Sequence, residues 1–494
     1  MTKRRLASSA VAALLCSSVS GVASAQAQFV GQPDSPQWLK DRQFNEGAGV
    51  RAGDLELHPG IATEAGYDSN WFLRTDKTGA NGGFINGPPL TPVVPALEFR
   101  VTPSLYLSTL GPQRRLDDLV AQPPTVAFRA GVNATYREFV GLANTSPPPG
   151  TSAANNPNDI SQQRNVGGSA DMRLDILPER PLGMGLYANY ARVIQPNTGT
   201  GDPNLSFNRD DVGAGAEVIT QPGSGTLDWR FGYQFHDSIF EDSAGQAFDN
   251  ITNEGYTRGR WRFRPKTALV YDASLRFISY VNPAQALATE GLVNSTPVRA
   301  RIGMNGLITE RFAFLGLVGW GSSFYDTKLK AQPQYDSVIG QAEFKWFLSA
   351  GPGVASPSDV SLALSSIALG YTRDFQNSYI GNYYGVDRGY LKFSYFFAGR
   401  ALVTLEGGVG AVEYPTILWG DGTNRQNGFT DTRADATLFS EYRFTDAFGI
   451  NATLRYTANF SNVALPTVEG NTTTGLYDMS WNRFEAFIGL RYFL

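Results

Sequence analysis

Histidine and cysteine are almost missing from this chain: 494 residues hold two histidines and one cysteine. The single thiol, Cys16, lies inside an apolar run near the N-terminus, so no disulfide staples the rest of the chain and zinc–thiolate chemistry is closed to it. His58 and His236 leave little for general-base catalysis. No Gly-x-Ser-x-Gly occurs, and neither histidine belongs to a paired carboxylate motif, so no enzyme, metal or cofactor is expected. Long apolar runs are missing too: past residue 25 no stretch of 18 apolar residues occurs, which excludes a bundle of membrane-crossing helices. A closed barrel of strands is then the way left to span a bilayer. Nor is there a blade-like or solenoid repeat that would organise a large secreted β-protein.

What is present begins with Lys3, Arg4 and Arg5, an apolar run from Leu6 to Val22, and Ala23-Ser24-Ala25, the pattern of a secretory signal peptide over residues 1–25. Leu15 before Cys16 argues against lipoprotein processing. Cleavage after Ala25 takes three of the 41 basic residues and leaves 38 against 45 acidic ones, a net charge of about −7, which disfavours nucleic acid as a partner. Residues 26–53 read as an N-terminal arm. Ser35 and Pro36 ahead of Gln37 to Arg42 signal a short helix there, placed on the periplasmic side to plug a lumen or dock a partner.

From residue 54 to 494 the chain reads as all-β. In the last segment Phe484, Ala486, Ile488, Leu490, Tyr492 and Leu494 share one face, opposite Glu485, Gly489 and Arg491, the alternation of a transmembrane strand. Eighteen such segments are expected, near 54–71, 96–110, 124–139, 163–177, 182–194, 205–220, 225–239, 252–264, 266–281, 297–309, 311–325, 334–349, 358–374, 382–396, 399–413, 429–443, 446–460 and 478–494. Connections after even strands are mostly tight, as at 178–181, Pro265, Glu310, Ala398 and Thr445-Asp446. Those after odd strands are long and rich in Gly, Pro, Asn and Ser, as at 75–95 and 141–162, which places both termini in the periplasm. Residues 111–123 and 350–357 depart from this rule and leave sixteen strands as the alternative.

The pattern Gly489-x-x-Tyr492-x-Leu494 resembles the C-terminal assembly signal of bacterial outer-membrane barrels, with Ile488 in place of the usual polar residue and Leu494 in place of the usual Phe. The resemblance implies outer-membrane lipid and the barrel-assembly machinery as partners, in a Gram-negative bacterium.

A barrel of sixteen to eighteen strands is too wide for its side chains to fill, so an aqueous lumen is expected. Arg258, Arg260, Arg262 and Arg264 alternate with Thr257, Gly259, Trp261 and Phe263, so four guanidinium groups share a face. An arginine facing lipid at mid-membrane costs roughly 2–4 kcal/mol, so that face is assigned to the lumen. With Arg230, Arg276, Arg299 and Arg301 it forms a basic wall, opposite Glu406, Asp431, Asp435 and Glu441, among which Arg433 and Arg443 also fall. Such a lumen either orients a charged solute in a transverse field or is stiffened by its own ion pairs.

The first strand carries Leu55-Glu-Leu-His-Pro-Gly-Ile61 and then Gly66-Tyr-Asp-Ser-Asn-Trp-Phe-Leu-Arg74. These residues resemble the β-barrel porin family linked to bacterial surface-polysaccharide export. The resemblance implies an outer-membrane conduit for a polysaccharide, working with a periplasmic polysaccharide export protein. A general or anion-preferring porin for small solutes is the alternative.

Overall fold

A computed structural model describes residues 49–75, 93–109, 125–143, 159–178, 180–194, 208–222, 226–241, 245–325, 333–348, 365–379, 381–397, 400–418, 425–445, 447–469 and 472–494. The expected signal peptide and the expected helix of the arm lie outside these residues.

Alternating sequence becomes strand because each pleat sends successive side chains to opposite faces. Eighteen strands of 12 to 16 residues follow in order: β1 Leu55–Asp68, β2 Ala96–Thr109, β3 Val126–Gly141, β4 Asn165–Ile176, β5 Leu182–Val193, β6 Arg209–Thr220, β7 Leu227–Phe240, β8 Asn250–Arg264, β9 Thr267–Tyr280, β10 Ser295–Thr309, β11 Phe312–Tyr325, β12 Tyr335–Phe347, β13 Ser366–Asn377, β14 Tyr383–Phe397, β15 Ala401–Tyr414, β16 Phe429–Arg443, β17 Phe448–Phe460 and β18 Trp481–Phe493. Each pairs antiparallel with the next, and β18 returns to β1 from Gly60↔Phe493 to Asp68↔Glu485. The count is therefore eighteen, not sixteen, and the expected segments coincide with these strands to within a few residues, β13 differing most.

Closure leaves a short length of β1 uncovered, because its ladder with β18 starts at Gly60 while the strand starts at Leu55. Val50–Ala52 fills that gap. The chain reverses at Gly53, whose φ of 62° is readily taken only without a Cβ, and pairs Val50–Ala52 with Leu57, Glu56 and Leu55. The end of the arm thus belongs to the sheet.

The outer surface is apolar: Val338, Phe344 and Leu369 are 60–62% exposed, beside Ile302, Val318, Val409 and Ile488. In water this would be an aggregating surface; around a closed barrel it matches hydrocarbon. Two aromatic girdles bound it. Near the rim that carries the chain ends stand Trp229, Trp261, Phe312, Trp346, Phe397, Tyr442, Phe448 and Tyr492, all exposed, with Phe312 and Trp346 stacked at 6.0 Å. Near the opposite rim stand Phe99, Tyr136, Tyr190, Trp320, Phe324, Tyr371, Phe460 and Phe484. Here the polar tips reach carboxylates: Tyr190 Oη donates to Asp210 at 2.7 Å and Trp320 Nε1 to Asp336 at 2.5 Å, while Tyr136 donates to Glu138 and Tyr371 to Asp387. A ring in apolar surroundings with its tip on a charged group marks a boundary between hydrocarbon and water.

Removal of residues 491–494 would strip three of the nine β1–β18 pairs, and with them the bond from Leu494 N to Pro59 O at 3.0 Å. We expect the truncated chain not to accumulate as a barrel. Electrophoresis before and after heating checks this: loss of the fast-migrating, heat-modifiable band is the expected result, and its retention contradicts the closure.

Candidate functional site

The inward face is a layer of charged and aromatic side chains, and its densest part lies on β4 to β9. Glu217 of β6, 1% exposed, is the hub. Arg258 of β8 donates to it through Nη2 at 2.8 Å, Arg230 of β7 through Nη1 at 3.4 Å, and Arg173 of β4 also pairs with it. Tyr256 Oη adds a bond at 3.1 Å and meets Tyr187 Oη of β5 at the same distance. Two glycines make room for these rings. A Cβ on Gly215 would fall inside the Tyr187 ring and one on Gly232 inside the Tyr256 ring, so the rings lie flat along the wall.

Carboxylates from neighbouring strands are threaded through the expected basic wall. Asp228 holds Arg230 at 3.2 Å and stands 3.6 Å from Arg260; Glu254 holds Arg276 at 2.9 Å; Asp272 takes Arg301 through two nitrogens; Asp374 holds Arg299 at 3.1 Å. Arg299 also lies 4.2 Å over the Phe375 ring. Arg262 is different: among the described residues it has neither ion pair nor side-chain hydrogen bond, and its Nε is buried. Arg264 ends the strand, exposed at the turn.

The residues expected on the acidic side are mixed with bases in the same way. Asp435 takes Arg388 through two bonds of 3.1 and 2.6 Å, and Glu406 lies 3.8 Å from the same guanidinium. Asp431, fully buried, accepts from Asn459 at 2.9 Å. Glu441 binds Arg443 at 2.8 Å and Arg491 at 3.4 Å. Of the three C-terminal positions, Tyr492 and Leu494 face outward, and Gly489 sits where a Cβ would press on Glu64 and the Thr63 carbonyl.

At the seam the motif of the first strand acts as a fastener. Asp68 accepts both Nε and Nη2 of Arg483, which also reaches Glu485 at 3.2 Å. Asn70 donates to the Asn482 carbonyl at 2.8 Å and to the Arg74 carbonyl at 2.7 Å, and Trp71 and Phe72 are buried with Val94, Ala96, Phe139 and Ile160. Glu98, Arg100 and Glu64 continue the network inward, with Arg100 3.8 Å over the Phe487 ring.

The two histidines are apart, on β1 and β7. His236 has Ser238 Oγ at 3.2 Å and Asp211 at 3.7 Å, a trio that sequence spacing did not disclose. Its geometry is wrong for nucleophilic catalysis, because both partners address Nε2, whereas a triad needs the carboxylate on Nδ1. Ser238 Oγ donates instead to Asp211 at 2.7 Å.

At the rim opposite the chain ends, loops converge over one sector. Tyr379, between β13 and β14, packs on Phe240 at 5.6 Å and Phe248 at 5.4 Å, and Asn382 donates to the Gly291 carbonyl and accepts from Val293 N. A helix, Pro283–Glu290, lies in the β9–β10 connection and abuts this region. Sequence reasoning missed Glu217 and Tyr379. Glu217 stood in lumen phase on β6, which was the available signal, but nothing local tells which bases reach it.

No family model matches the chain and no curated protein matches it. Among solved structures it is similar to the FrpB iron transporter from Neisseria meningitidis, with 9% identity, a TM-score of 0.42, and coverage of 92% of this chain and 83% of that one. Acinetobacter baumannii OccAB4 gives 9%, 0.41, and 90% and 99%; Pseudomonas aeruginosa OccK5 gives 11%, 0.39, and 89% and 98%.

Glu217→Gln would leave Arg173, Arg230 and Arg258 without their shared counter-charge. Removing one partner of a buried ionic network costs about 3–5 kcal/mol, so the variant should unfold at lower denaturant than wild type in detergent. An unchanged midpoint would mean that the hub contributes nothing to stability.

Proposed function

We propose that the chain spans the outer membrane of a Gram-negative bacterium, with the rim of its chain ends in the periplasm, and conducts hydrophilic solute passively through its lumen. The observation that carries this reading is the contrast between the two faces of one closed sheet: apolar between aromatic girdles outside, charged and aromatic inside. Such a partition suits a wall between lipid and water. The final strand is the segment offered to the barrel-assembly machinery.

For the solute, we propose a surface polysaccharide delivered by a periplasmic export protein. The support is the resemblance of residues 66–74, and a lumen of many weak polar contacts over which a chain can slide, since one tight site would stop transport. Val50–Ala52, the described end of the arm, lies on the rim where such a partner would dock. Passage of small solutes is the second reading, favoured by the loops gathered around Tyr379 at one rim.

A deletion strain separates the two. Loss of one surface polysaccharide, with its repeat units still synthesised and small-solute uptake unchanged, is expected of the conduit. Normal surface polysaccharide with slowed uptake of small solutes would overturn it in favour of the porin.

A further inference from the structure

The arginine ladder of β8 is not one device but two. Arg258 is satisfied by Glu217. Its neighbours Arg260 and Arg262 make no side-chain hydrogen bond to any described residue, and both Nε atoms are buried without an acceptor. A guanidinium carries five donors, so two of them side by side with no acceptor is an unfinished arrangement. Asp228 does not complete it: at 3.6 Å from Arg260 it is beyond hydrogen-bond reach, and it already binds Arg230 at 3.2 Å. Arg173, Arg230, Arg258, Arg260 and Arg262 face Asp175, Glu217 and Asp228 on this part of the wall, which leaves two positive charges without counter-charge.

We infer that Arg260 and Arg262 form an oxyanion-binding subsite on the lumen wall. Two residues apart on one strand, Arg260 and Arg262 send their side chains to the same face from Cα atoms about 6.6 Å apart, so a single oxyanion or adjacent acidic groups of one polymer can engage both guanidiniums. Arg260 is one-third exposed, so a ligand in the lumen can reach it. The anion would supply the acceptors that the protein does not. The subsite's role in transport rests on the conduit reading, whereas binding at it does not.

The test is calorimetric titration of the purified full-length barrel in detergent with sodium sulfate and, separately, with polygalacturonate, for wild type and Arg260→Gln/Arg262→Gln. Both proteins are first checked for heat-modifiable migration. We expect wild type to bind and the double variant to bind roughly ten-fold or more weakly. A loss confined to the polymer assigns the pair to acidic groups on a chain; a loss with sulfate as well assigns it to small oxyanions. No binding by wild type, or equal binding by a folded double variant, overturns the subsite. Conductance of wild type in planar bilayers is measured alongside: a folded protein that binds the anion but does not conduct keeps the subsite and removes the conduit.

Discussion

Everything in this molecule depends on β18 finding β1. Inside hydrocarbon no water is available to an unpaired N–H or carbonyl, so an open sheet of eighteen strands would expose two edges at several kcal/mol per group. The backbone ladder closes that gap, and side chains then fix its register. Asp68 grips Arg483 across the seam, Asn451 Nδ2 donates to Glu64 at 2.9 Å, and Phe487 lies over Gly66. A slip by one residue would turn Asp68 and Glu485 toward lipid. Where β18 runs out, Val50–Ala52 takes its place, so even the overhang of β1 is paired.

Once the barrel is closed, the lumen must hold charge in a confined space. The solution here is interleaving: bases meet acids on their own strand, as Arg443 meets Glu441, and on other strands, as Arg388 meets Asp435 and Arg173 meets Glu217. A field built from such interleaved pairs is short-ranged, because opposite charges a few ångströms apart cancel beyond that distance. Cancellation is incomplete at Arg260 and Arg262, toward the end of β8 on the rim of the chain ends.

Glycine has a structural part in this arrangement. The rings of Tyr187, Tyr256 and Tyr390 lie over Gly215, Gly232 and Gly370 of the adjacent strands, flat against the wall; the Tyr256 hydroxyl donates to Glu217, that of Tyr390 donates to Glu343, and that of Tyr187 meets the Tyr256 hydroxyl. The aromatic layer thereby stiffens the barrel without projecting far into the lumen. The same residue types do opposite work outside, where exposed rings flank the apolar belt and their polar tips mark its edge.

The all-β barrel and the two faces of each strand are legible in the sequence, because period-two alternation and turn chemistry are local, whereas eighteen strands rather than sixteen follows from the paired ladders of the closed sheet. Phe448 to Phe460 with Asn451, Thr453 and Arg455 between them can be sorted into lipid and lumen by counting. The sequence also located the ladder Arg258 to Arg264. Only the tertiary structure decided which charge meets which. Arg258 and Glu217 are 41 positions apart, and Arg483 and Asp68 are 415 apart. Such meetings depend on the tilt and stagger of the closed sheet, which set how far each inward side chain is carried along the axis. That geometry, invisible in any single strand, separates an arginine held by a carboxylate from one left with its donors free.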